Sequence, residues 1–310
     1  MKKLNSKTLT KSFAMAFLLI GSISCKETAT KDATTKEATT EVETSPSKFG
    51  GLALYTVRDA MEADAKATLK SVAEAGYQNI EAAGYADGKF YNMAPEDFKA
   101  LLTELNLNPI STHQGSVTLD NADAMMADVK TAGFEYFVVP VPPMGLFKFD
   151  QASMTMGMTG GAKNLAKILD ALGEKAHAAG LKLLYHNHDF EFKKDEEGMV
   201  TIDYLLEHCN PEWVNFQMDL FWVTKAGADP LVYFENHPGR FKIWHVKDMD
   251  EKGRFAPVGQ GTIDFGRILA QKEKSGMEYY MVEQDMTFDS LQPLEAIKIS
   301  HDGIKKIGFK

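Results

Sequence analysis

The chain has 310 residues, 44% of them hydrophobic and 25% charged, with a formal charge of -9 and a pI near 5.4. That composition fits one large globular core rather than a disordered or fibrous chain. An acidic balance without a basic cluster argues against nucleic acid as a partner.

The first 25 residues read as a leader. Lys2, Lys3, Lys7 and Lys11 make a basic stretch, and Phe13 to Ile23 an apolar run too short to span a bilayer. Ser24-Cys25 follows, so the segment resembles a bacterial lipoprotein signal in which Cys25 becomes the lipidated first residue. Ser22 stands where such signals usually carry Leu. The expectation is an exported protein, periplasmic or on the cell surface, whose contact with the membrane is the anchor at Cys25. Losing the four leader lysines takes the charge from -9 to -13. Residues 26–48 are rich in Thr, Lys, Glu and Ala and cannot offset their ordering entropy by burial. They read as a tether with a mean reach of roughly 25 Å. Cys209 then remains as the single cysteine of the body, so the fold must hold without a disulfide.

From residue 49 to 310 the pattern is strand then helix, repeated. Strands are expected over Leu52–Val57, Asn79–Tyr85, Pro109–His113, Tyr136–Val141, Leu181–His188, Val214–Trp222, Phe241–Val246 and Tyr279–Gln284. Helices are expected over Asp64–Ala75, Pro95–Leu105, Ala122–Ala132, the segment from Gly161 to Gly180, Ile202–His208, Pro230–Asn236, Phe265–Lys274 and Leu291–Ile307. Asp64 suits an N-cap, Pro95 an early helical position, and Gly76 and Gly133 a stop. Residues 144–161 read as a Met- and Gly-containing loop. Eight such units over about 260 residues predict an α/β fold closed as a (β/α)8 TIM barrel. An open doubly wound sheet is less consistent, because no Gly-rich turn follows the first strand. A barrel places its chemistry where strands end.

Those ends carry polar residues. His186 and His188 face the same way at the end of the fifth strand. Asp219 lies in the sixth, His245 and Lys247 in or just after the seventh, and Glu283 in the eighth. His186, Asp219, His245 and Glu283 suit a divalent ion: Mn²⁺, Zn²⁺ or Co²⁺ rather than the oxygen-loving Mg²⁺. Without a cation, burying these side chains would be costly. Arg58, Glu81, His113 and Trp222 are expected to bind substrate, with an Arg58–Glu81 salt bridge as the alternative for that pair. Tyr85, Phe90 and Phe221 join Trp222 as rings able to stack on a substrate ring. His177, His208, His237 and His301 read as surface residues.

The segments GYQNIEAAGY, YHNHDFEF, DLFWVTKAGADP, RFKIWHVKD, VGQGTIDF and MVEQD resemble the sugar phosphate isomerase/epimerase family, with its xylose isomerase-like TIM barrel. The resemblance runs from Phe49 to the C-terminus. It implies a metal set of Glu, Asp, His and Glu on strands five to eight. Asp219, His245 and Glu283 match the last three, and His186 stands where the first Glu belongs. The two-glutamate relay of the family's epimerases is therefore broken. The implied activity is metal-dependent isomerisation or epimerisation of an unphosphorylated sugar or keto-sugar, by proton abstraction beside a metal-bound carbonyl. Glu283 would be the base, His188 the partner acid and Lys247 a neighbour of the oxyanion. A lyase or dehydratase working by β-elimination is the alternative. A non-catalytic sugar-binding lipoprotein is a third reading. The sequence leaves a homo-oligomer open.

Overall fold

The computed structural model describes residues 49–195 and 198–310. The leader, Cys25 and the tether lie outside the described residues. Eight parallel strands close a barrel in chain order: β1 (Gly51–Ala53), β2 (Asn79–Ala82), β3 (Asn108–His113), β4 (Tyr136–Val139), β5 (Lys182–His186), β6 (Val214–Asp219), β7 (Phe241–Val246) and β8 (Tyr279–Val282), with β8 pairing back to β1. The expected (β/α)8 barrel is therefore the observed fold.

Helices wrap the outside: α1 (Arg58–Ala63), α2 (Ala65–Glu74), α3 (Pro95–Glu104), α4 (Ala122–Thr131), α5 (Gly161–Ala178), α6 (Thr201–His208), α7 (Leu220–Lys225), α8 (Pro230–Asn236), α9 (Phe265–Leu269), α10 (Lys272–Ser275) and α11 (Pro293–Ile307). The local signals act as expected. Asp64 accepts from Ala67 N at 3.0 Å and starts α2. Pro95 opens α3, and Gly133, at φ +92°, follows α4. The strands' outward side chains bury against these helices and form the main core.

The barrel interior is a separate layer. Its lower part is apolar: Ala53, Ile110, Tyr136, Val138, Leu184, Ile243 and Met281. One step of two further along β5, β7 and β8 the same inward face turns polar, because side chains alternate with period two. Leu184 gives way to His186, Ile243 to His245 and Met281 to Glu283.

Several expectations move. The first strand ends at Ala53, and Leu54–Val57 is a 3-10 turn leading into α1. The sixth strand stops at Asp219, so Phe221 and Trp222 are helical. Tyr85 leaves β2 and pairs with Phe90 in a short hairpin. The expected loop at 144–161 contains a hairpin, Phe147–Asp150 with Thr155–Met158, that folds over the barrel mouth. His301 is not a surface side chain: its ring packs 4.5 Å from Phe49 and 4.9 Å from Tyr77.

Candidate active site

At the C-terminal ends of the strands a cavity of about 400 Å³ opens above the polar layer. His113, His186, His188, Lys247, Glu283 and Asp285 line one part of it. Tyr55, Phe147, Met156 and Trp222 line an apolar part.

His245 is the centre. Its Nε2 lies 2.6 Å from Glu81 Oε1 and its Nδ1 2.8 Å from Glu283 Oε2. Burial alone would lower its pKa, but Glu283 and Glu81 outweigh that and raise it to about 10. Without a metal the ring is thus an imidazolium clamped by two carboxylates, and its Nδ1 would release its proton to any ion it ligates. Glu81 is itself saturated. Besides His245 it accepts from Ser111 Oγ at 2.7 Å and Gln217 Nε2 at 2.6 Å, and His113 Nε2 lies 3.0 Å away. Burial would raise the Glu81 carboxyl, yet His113 and His245 hold it well below the usual range.

Gln217 fixes the histidines in turn. Its amide donates to Glu81, so its Oε1 faces His186 Nδ1 and His113 Nε2, each at 2.8 Å. An oxygen can only accept, so His186 carries its proton on Nδ1 and its Nε2 presents a lone pair. Burial and then His245 hold its pKa well below the usual value, so the ring is neutral. That Nε2 lies 3.9 Å from Asp219 Oδ2.

Asp219 closes β6 and begins α7. Its Oδ1 accepts from Trp222 N at 2.9 Å and caps the helix. Its Oδ2 is 3.8 Å from His245 Nδ1 and 2.9 Å from Lys247 Nζ; the contact to Lys247 is an ion pair without hydrogen-bond alignment, leaving Oδ2 without a donor. Lys247 also lies 2.7 Å from Glu283 Oε2 and 2.9 Å from Asp285 Oδ1. Burial would lower its pKa, but these three carboxylates hold it well above the ordinary value. Burial raises Asp285 to about 6 and pushes Asp219 up.

The donor atoms suit a divalent ion. Asp219, His245 and Glu283 each bring a ligand atom within 4.8 Å of the others, and so do His113, His186 and His245. Ligands at about 2.1 Å from one ion stand roughly 3 Å apart, which the 2.8 and 3.8 Å spacings around His245 Nδ1 straddle. The charge count agrees. Four carboxylates, Glu81, Asp219, Glu283 and Asp285, face one ammonium and one imidazolium, an excess of two negative charges. Imidazole with carboxylate favours Zn²⁺, Mn²⁺ or Co²⁺.

The other expected residues scatter. Glu81 lies beneath the cavity, 1% exposed, and serves the histidines rather than a substrate. It has no bridge to Arg58, which donates from Nη1 to the Tyr55 and Asp285 carbonyls and borders neighbouring cavities. His113 and Trp222 do line the site. Phe90 is fully buried on Phe98 and Phe134, Phe221 packs on Phe255, and Tyr85 bonds Asp128, so none of the three reaches it. His188 does, but burial and then Lys247 hold its pKa at about 3, so it is a neutral ring and not a charged acid. Its Nδ1 and the Trp222 Nε1 are buried without a hydrogen-bond partner among the described residues.

Four functional residues escaped the sequence reading. Gln217 and Asp285 stand two residues from Asp219 and Glu283, so the alternation rule would have found both. Asn187 bridges the ends of β5 and β6, accepting from Asp219 N at 3.0 Å. Glu191, raised by burial to about 8, accepts from Tyr185 OH and His188 N and holds the turn bearing His188.

A model of the xylose isomerase-like TIM barrel matches residues 69–307. The chain belongs to this family. Inosose dehydratase of Lacticaseibacillus casei is 28% identical over 144 residues, covering 40% of this chain and 47% of that protein. The Clostridium tetani inosose dehydratase is 31% identical over 144 residues, with the same coverage. The match thus spans about half the length of these curated relatives. A sugar phosphate isomerase/epimerase of Parabacteroides distasonis superposes with a TM-score of 0.72 at 26% identity, covering 84% of this chain and 99% of that one.

Proposed function

We propose that this family member is a metal-dependent enzyme that removes a proton next to the carbonyl of an unphosphorylated sugar, keto-sugar or keto-polyol. The convergence of the Asp219, His245 and Glu283 donor atoms, with neutral His186 beside them, at the floor of the cavity that His186 and Glu283 line carries the reading. A bound divalent ion would supply Lewis acidity to the substrate's carbonyl oxygen. The protein does the rest. Gln217 keeps the His186 lone pair aimed inward, and Glu81 orients His245 as a carboxylate–histidine pair. Glu283 is the ionised carboxylate at the cavity and takes the carbon-bound proton. Lys247, which lines the cavity, sets positive charge beside the developing oxyanion. Trp222 and Phe147 wall the cavity and exclude water.

Among the outcomes, β-elimination is favoured over epimerisation. Epimerisation by two bases needs a carboxylate on each side, and the side opposite Glu283 presents the imidazoles of His113 and His186. In elimination one base suffices. The proton Glu283 takes from carbon passes to the leaving hydroxyl, which departs as water while the carbon–carbon double bond forms. The inosose dehydratase relatives support this choice. An unphosphorylated substrate is part of the proposal because, among the described residues, the cavity lining carries no arginine and no lysine besides Lys247 to cradle a phosphate. Export and lipidation at Cys25 remain part of this reading on the strength of the leader sequence alone.

Incubation of metal-loaded protein with keto-inositols and keto-sugars in D₂O tests it by mass. A product lighter by one water supports elimination. Deuterium uptake without that loss returns the site to isomerisation or epimerisation, and saturable binding with neither result makes the protein a sugar binder.

A further inference from the structure

Lys247 occupies an unusual position. It is 1% exposed, with Nζ 5.7 and 5.6 Å from the ring centroids of Trp222 and Phe255. An ammonium has three donors, and here three carboxylates surround it: Asp219 at 2.9 Å, Glu283 at 2.7 Å and Asp285 at 2.9 Å. Two of these, through the same oxygens Asp219 Oδ2 and Glu283 Oε2, also face His245 Nδ1 and belong to the donor trio. The third does not. Asp285 stands towards the cavity, its side chain 21% exposed where Asp219 and Glu283 are 0 and 4%.

One oxygen cannot serve an ammonium and a divalent ion at full strength, because the two cations repel at such short range. We propose that Lys247 is the resident counter-ion of the metal-ligand trio, and that Asp285 is the positioning residue that retains its ammonium when a divalent ion takes Asp219 and Glu283. Loading the ion then turns Lys247 towards the cavity, where it can meet the substrate's developing negative charge. The inference rests on the metal-site reading proposed above and adds Asp285 to it.

Titration of wild-type protein and variants with Mn²⁺ by calorimetry tests the exchange without any turnover. Lys247→Met removes the competitor, and its Mn²⁺ affinity should rise at least tenfold. Asp285→Asn removes the ammonium's alternative seat, and its affinity should fall at least tenfold, with Asp285→Glu staying within threefold of wild type. In the Lys247→Met background Asp285→Asn should change affinity by less than threefold, since Asp285 acts through the ammonium. An equal loss in both backgrounds makes Asp285 a simple nearby charge and overturns the proposal, as does an unchanged or weakened affinity in Lys247→Met. If that variant fails to fold, Lys247→Gln supplies the neutral background for the same comparison, and equal losses with and without the ammonium overturn the proposal. Failure of Mn²⁺, Zn²⁺ and Co²⁺ to bind wild type or Lys247→Met would instead remove the metal-site reading itself.

Discussion

Glu81→Gln is the most informative single change, because it keeps the shape of the side chain and removes its charge. Glu81 accepts from His245, Ser111 and Gln217, and His113 Nε2 stands 3.0 Å from the oxygen that His245 shares. An amide has one accepting oxygen, so its NH₂ must face at least one of these donor pairs. The loss of a charge-assisted bond to the His245 imidazolium costs about 1.5–3 kcal/mol, and a buried donor left without an acceptor about 1–3 kcal/mol more. The sum agrees with the roughly 3–5 kcal/mol lost when a buried ion pair is broken from one side. Urea unfolding of the metal-free variant should therefore show a loss of about 3–5 kcal/mol. Its ion affinity should drop about 10–100-fold, as when the carboxylate behind a metal-binding histidine is removed. A loss below 1 kcal/mol with unchanged ion affinity would refute the view that Glu81 is the keystone beneath His245.

Other consequences concern pH, packing and targeting. In the metal-free protein the His245 pKa of about 10, raised from an ordinary 6.5, contributes stability that is complete below pH 6.5 and lost as pH climbs through 10. Glu191, raised to about 8 from 4.5, works in the same direction between those values, whereas the depressed Glu81 and Glu283 lose their contribution in acid. Stability measured by denaturant in EDTA should thus decline from pH 6.5 to 10; a rise over that range would contradict the clamp. Gly303→Ala in α11 should destabilise by about 1–3 kcal/mol despite the roughly 1 kcal/mol helix gain of Ala over Gly, because its Cβ would meet Val258 O at 1.8 Å; thermal melts would reveal an unexpected gain. Cys25→Ser should release the protein from membranes to the soluble fraction of a fractionated cell, and unchanged partitioning would remove the anchor.

The architecture was legible because barrel strands announce themselves as apolar runs and because Gly, Pro and Asp64 punctuate the helices. The polar strand ends were legible for the same reason: His186, His245 and Glu283 interrupt runs that should stay apolar. Reading failed where tertiary contacts decide. The stretch QMDLFWV looks like continuous strand, yet Asp219 caps a helix and turns Phe221 into core. Phe90 follows a strand end, but the hairpin from Tyr85 to Phe90 folds it into the outer core. Glu81 was placed with the substrate because its role depends on residues from β3, β6 and β7, whose registers are fixed by irregularities near Ile80 and Phe216 that spacing alone does not reveal.

Asp219 serves two masters, one oxygen for each. Because the oxygen that starts α7 and the oxygen that faces Lys247 belong to one carboxylate, the wall bearing Trp222 is hinged directly on the chemical centre. Recognition of a new substrate by moving that wall would disturb the ion's seat, and retuning the seat would shift the wall. Diversification of this barrel is therefore freer at the hairpin of Phe147 and Met156, which borders the same cavity and carries none of the proposed donor residues.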